Sequence, residues 1–127
     1  MFLRFVTGEI HAISRQPRGV FQSAYHLADE DDVCGWYRDA LWDDLHWFEE
    51  HLPVPPRERF AKGRGISWFQ DGAQSSIARL WSIIAILREH GVAVRQIRTR
   101  RPGQVVYEDR HQVVAIPWRD TMRRLQR

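Results

Sequence analysis

Pro102 to Trp118, PGQVVYEDRHQVVAIPW, is the segment that most constrains what this chain can fold into. Two short valine-rich runs flank a charged tip, with Pro-Gly opening the segment and Ile-Pro-Trp closing it. Each run is too short for a stable helix and rich in β-branched residues, so the pattern predicts a β-hairpin with strands at 104–108 and 112–116. The valines fall on both faces of each strand. The hairpin is therefore expected to be a covered part of a sheet, with only the tip Glu108-Asp109-Arg110-His111 free to meet a partner.

The other periodicities supply what the hairpin packs against. Phe2 to Ile10 carries β-formers on both alternating faces and predicts a central strand. Arg15 to Gly19 reads as a turn. Val20, Phe21, Ala24, Tyr25 and Ala28 recur at helical spacing, giving a helix over 20–29. A second helix is expected over 33–52, with Cys34, Tyr37, Leu41, Leu45, Phe48 and Leu52 as its apolar stripe. The acidic run Asp29 to Asp32 precedes it, and carboxylates there would complement the helix dipole and cap free N–H groups. Pro53-Val54-Pro55-Pro56 ends this helix, and a Pro- and Arg-rich linker spans 53–65, either functional or mobile. A third helix over 71–90 follows, with Asp71 and Gln74 at capping-box spacing, a broad apolar arc and Gly91 as its C-cap. A strand over 92–99 leads into the hairpin. The expected architecture is α+β: one domain, 1–127, with a small, mainly antiparallel sheet packed by two or three helices.

At 127 residues the chain has the size of a single domain, and its 43% hydrophobic content argues against disorder. No apolar stretch approaches the roughly 20 residues of a membrane span, and the N-terminus lacks the features of a signal peptide. The single cysteine, Cys34, excludes an intrachain disulfide, and a reducing cytoplasm is the expected setting. Charge is unevenly spread. Residues 1–60 carry six Arg and eleven Asp/Glu, net −5, whereas residues 61–127 carry thirteen Lys/Arg and five Asp/Glu, net +8. Such a split suits a nucleic acid or an acidic partner, or internal compensation between the halves.

Several pieces together resemble an uncharacterised bacterial protein family. They are Phe2 to Ile10, Gly19-Val20-Phe21 with Ala24-Tyr25, Trp47-Phe48 with His51 to Pro55, Ile66-Ser67-Trp68-Phe69, and the hairpin from Pro102-Gly103 to Pro117. The resemblance spans nearly the whole chain and implies a small, soluble, intracellular bacterial protein of unassigned function. It carries over no catalytic residues.

Four constellations could bear chemistry. Asp43, His46 and Glu50 share one helix face at a spacing that can ligate a divalent ion; a solvated polar face is the expectation, and no metal or cofactor is implied. Lys62-Gly63-Arg64-Gly65 is a basic glycine-containing loop able to approach an anion, but it lacks the P-loop spacing. Arg95, Arg98, Arg100 and Arg101, with Arg119, Arg123, Arg124 and Arg127, form the densest basic set. Arg98 and Arg100 share a strand face, and Trp118, Tyr107 and Trp68 could offer stacking surfaces. Pairing of these arginines with the acidic helix 39–50 is the competing role. Finally, Arg4, Ser67 and Glu108 are similar in order to the Arg, Ser and Glu elements of ADP-ribosyltransferases, a resemblance that implies NAD chemistry at those three positions. Cys34 reads as core and Ser67 lacks a nucleophile motif. The leading expectation is a non-enzymatic interaction or regulatory module with a protein partner or a second copy, Trp36, Trp42 and Trp47 offering the apolar patch. Nucleic-acid binding through the Arg-rich half and the transferase-like enzyme are the alternatives.

Overall fold

The computed structural model describes residues 1–10, 17–61 and 63–121. Their order is β1 (Phe2–Ile10), β2 (Pro17–Gly19), α1 (Val20–Ala28), α2 (Gly35–His51), a 3-10 turn (Arg57–Phe60), β3 (Ile66–Gln70), α3 (Gln74–Glu89), β4 (Val94–Thr99), β5 (Gln104–Glu108) and β6 (Gln112–Ile116). The strands form one sheet in the order β2-β1-β3-β6-β5, and β4 also pairs with β1. The α+β architecture expected from the sequence is therefore present. Two strands were not anticipated: Ile66–Gln70 is the centre of the sheet, not a lead-in to a helix, and Pro17–Gly19 pairs antiparallel with β1 where a turn was expected.

The chain divides into two compact units. Unit 1 comprises Met1–Arg4, Pro53–Ile77 and Gln96–Arg127; unit 2 comprises Phe5–Leu52 and Ala78–Arg95. The charge split of the sequence follows this division. Unit 1 contains thirteen Lys/Arg and five Asp/Glu, net +8, and unit 2 six Arg and eleven Asp/Glu, net −5.

Unit 1 is built on β3 and the closing hairpin. Ile66 to Phe69 pair with Ala115 to Gln112, and β6 pairs in turn with β5 across a bulge between Val105 and Tyr107. Trp68, Val113, Val114 and Ala115 are fully buried. The coverage expected of the hairpin therefore holds for β6. β5 is the sheet edge, and its Val105 is exposed. At the tip Glu108 and Arg110 are exposed, but Asp109 is engaged. Asp109 accepts bonds from the backbone N–H of His111 and Gln112 and from the Tyr107 hydroxyl, while its own carbonyl accepts Gln70. Burial pushes the Asp109 carboxyl up, but these bonds outweigh it and hold the group below its usual range. The stretch 53–65 is held as well: Gln112 Nε2 donates to the Pro53 carbonyl at 2.6 Å, and Arg59 donates to the Val106 carbonyl.

In unit 2, α1 buries Val20, Ala24, Leu27 and Ala28, and α2 buries Leu41, Leu45 and Phe48. Phe21 of α1 meets Phe48 of α2 edge to face at 4.9 Å. The predicted α2 stripe needs two corrections. Cys34 is the exposed N-cap and makes no side-chain cap bond; the N–H groups of Asp29 and Glu30 still bond to α1 carbonyls, and the helix starts only at Gly35. For the same reason no acid lies in the first turn of α2, and the run Asp29 to Asp32 does not cap it. Asp44 instead belongs to the stripe, three residues after Leu41; it is buried and bonded to Arg79 of α3 at 3.1 Å. Asp44 is buried but Arg79 is 44% exposed, so the pair is partly solvated, and removing Arg79 would leave a buried carboxylate short of its partner. Asp71 is likewise not a cap, since α3 begins at Gln74; it lies 3.8 Å from the N-terminal amine. Gly91, with φ of 81°, does end α3, its neighbour Val92 donating to the Leu87 carbonyl.

Tyr25 of α1 donates to Glu49 Oε1 of α2 at 2.6 Å. Burial first, then the adjacent carboxylate, pushes the phenol up to about 12. Its stabilising contribution is therefore complete below the ordinary phenol range and is lost as pH rises through the folded value. Ring-carbon NMR of Tyr25 should show late ionisation that returns toward pH 10 in Glu49→Gln. An unchanged titration in that variant contradicts the assignment.

Candidate functional site

The sequence singled out residues that the fold distributes differently. Arg4 and Ser67 do come together, the Arg4 guanidinium donating to the Ser67 carbonyl at 3.1 Å. That partner is a backbone oxygen, and burial lowers the Arg4 pKa from its ordinary value. Glu108 is placed apart. Ser67 stands opposite Val114 and Tyr107 in register, whereas Trp68 stands opposite Val113 and Glu108. Because side chains alternate, Ser67 and Glu108 point to opposite faces, two strands or roughly 10 Å apart.

Asp43, His46 and Glu50 are all exposed on α2, and His46 stacks on Trp42 at 5.4 Å. Among the described residues no group of three or more His, Cys, Asp or Glu is placed to hold a metal ion. Lys62 lies outside the described residues, as do Arg123, Arg124 and Arg127. Arg64 is exposed and bonds within its own loop, to the Ala61 carbonyl at 3.5 Å.

Of the remaining arginines, Arg98, Arg100, Arg101 and Arg119 lie in unit 1. Strand alternation buries Ile97 and Thr99 of β4 and leaves Arg98 exposed, with Arg100 and Arg101 exposed beyond the strand end. The segment after β6 returns to the same place: the Thr121 hydroxyl donates to the Arg101 carbonyl at 3.0 Å. This brings Trp118, 44% exposed, under the Arg101 guanidinium, 5.3 Å from the ring centroid. Arg119 is exposed beside it. Asp120 approaches Arg101 at 3.9 Å, both groups being well exposed. An ion pair of that kind is worth about 0–1 kcal/mol and is readily exchanged for another anion. Of the three proposed stacking rings only Trp118 is presented. Trp68 is buried, and the hydroxyl of half-buried Tyr107 donates to Asp109. Trp36 is 70% exposed, while Trp42 and Trp47 are half-buried and stacked on His46 and His51.

Unit 2 holds a second feature that the sequence reading missed, a cleft of about 320 Å³ lined by Glu9, Ser23, His26, Leu27, Glu30, Asp32, Val33, His90 and Val92. The spacing of Ser23 and His26 on α1, with Glu30 just beyond its end, was its one legible signal; Glu9 and His90 reach it from distant parts of the chain.

The chain thus has a small α+β fold, with an arginine–tryptophan surface in unit 1 and an acid-lined cleft in unit 2. No protein-family profile, curated protein or solved structure matches this chain. No helix among the described residues is long and apolar enough to cross a membrane.

Proposed function

We propose that the chain is a non-enzymatic interaction module that engages single-stranded nucleic acid through the arginine–tryptophan surface of unit 1. The observation that carries this reading is Trp118, exposed and already oriented by the Arg101 guanidinium at 5.3 Å. An exposed indole flanked by arginines offers a base a stacking face and its phosphate a charge-assisted contact. Arg98, Arg100, Arg101 and Arg119 supply a short electrostatic track, and the +8 charge of the unit favours encounter with a polyanion. An acidic protein would use the same arginines but has no need of the ring, which is why nucleic acid is preferred.

A fluorescently labelled 12-nucleotide single strand is expected to bind at low salt and to release steeply as salt rises, since phosphate contacts release counterions. Trp118→Ala should weaken binding by about 1–3 kcal/mol, the value of one base–aromatic stack. Absence of binding at low salt, or full affinity in Trp118→Ala, rejects the reading.

A further inference from the structure

The cleft of unit 2 is lined by three carboxylates, two imidazoles, one hydroxyl and three aliphatic side chains, with no Lys or Arg among them. One of its acceptors, Glu9, is held before any ligand arrives. Ser23 is buried and its hydroxyl donates to Glu9 Oε1 at 2.5 Å; the Thr7 hydroxyl, also buried, lies 3.0 Å from that of Ser23. Thr7 in turn is held by the Arg18 carbonyl at 3.3 Å. The bond from Ser23 occupies one Glu9 oxygen and leaves Oε2 as an acceptor. His90 donates from Nδ1 to the Ile86 carbonyl at 2.8 Å, so in the neutral ring Nε2 is an acceptor. His26 Nε2 is 3.4 Å from Glu30 Oε1, just beyond the end of α1.

Among the described residues the lining has three carboxylates and no Lys or Arg, which disfavours an anion. It also disfavours a bare metal ion, which needs ligands converging on one point; among the described residues no such group exists. Acceptors that do not converge on one point, in a cleft also lined by Leu27, Val33 and Val92, match a polyatomic cation with spaced N–H donors and a short aliphatic middle. We propose that this cleft binds a small alkyl diamine or an alkyl guanidinium, the charged end groups meeting Glu9 and the Glu30–Asp32 side and the methylenes packing on Leu27, Val33 and Val92. The site lies wholly within unit 2 and does not depend on the nucleic-acid reading of unit 1.

Isothermal titration calorimetry with putrescine and with agmatine tests this, with magnesium chloride at matched ionic strength as the comparison. Saturable one-to-one binding of at least one organic cation is expected. Glu9→Gln and Asp32→Asn should each weaken it by about tenfold, through loss of a charge-assisted contact, and Asp43→Asn on the exposed face of α2 should leave it unchanged. Should Glu9→Gln disturb the Thr7–Ser23 network, seen as a lowered melting temperature, Asp32→Asn at an exposed loop position still decides. Three results overturn the proposal: no saturable heat with either amine, equal affinity in Asp32→Asn, or the same response to magnesium chloride, which would reduce the effect to general screening.

Discussion

Gly103→Ala is expected to be the most damaging single-methyl substitution in the protein, lowering stability by about 4 kcal/mol or more. Gly103 has φ of 126°, a region that L side chains rarely adopt. A Cβ built there would stand 2.1 Å from the Ile116 carbonyl oxygen, 2.7 Å from its carbon and 2.7 Å from Pro117 Cα. All three neighbours are backbone, so no rotamer change relieves the overlap. The turn or the β5–β6 pairing must open instead. Gly35 is the control. It starts α2 with nothing within 4 Å of its would-be Cβ, so Gly35→Ala should be neutral or gain up to about 1 kcal/mol. Urea unfolding of the two variants measures this directly; a Gly103→Ala protein within about 1 kcal/mol of the parent contradicts the close-approach argument.

Trp68→Ala should cost about 3–5 kcal/mol, the usual range for emptying a buried aromatic site. Trp68 sits at the middle of β3, opposite Val113, and is 1% exposed. Its Nε1–H is buried without an acceptor among the described residues. That orphan donor separates two substitutions that differ in size. Trp68→Phe leaves a smaller void and removes the unsatisfied N–H, which itself costs about 1–3 kcal/mol to bury, so its net effect should fall well below that of alanine. Midpoints compared at a constant denaturant slope give the order; phenylalanine as damaging as alanine would mean that the indole N–H has a partner.

The hairpin, the three helices and the first strand were legible because each carries its own periodicity and punctuation: Pro-Gly and Ile-Pro around the hairpin, Gly91 after α3, the proline run after α2. β3 was not. Ile-Ser-Trp-Phe is too short to show alternation, and its strand character comes from partners on both sides that are distant in sequence. β2 was hidden by Pro17 and Gly19, residues that usually signal a turn but here occupy an edge, where a missing N–H is tolerated. The start of α2 was misplaced because the acidic run invited a capping role, whereas the N–H groups of Asp29 and Glu30 still bond to α1 carbonyls and the helix starts only at Gly35. The arginine set was visible in the sequence as a density of charge. That Trp118, not Trp68 or Tyr107, is its exposed ring depended on the tertiary path after β6. The cleft was least visible, since Glu9, Ser23 and His90 lie on three different elements with no shared motif.

The place of β3 between β1 and β6 has a kinetic consequence. Leu3 pairs with Phe69, and Ser67 with Val114, contacts that span about half and over a third of the chain. Neither can reward the closing of its loop until most of the polypeptide is present. Folding of this sheet should therefore be slower than its small size suggests, in the manner of chains dominated by long-range pairing. During synthesis β1 must wait, unpaired by its central neighbour, until residue 70 has emerged, and the nascent strand is exposed to misassociation for that interval.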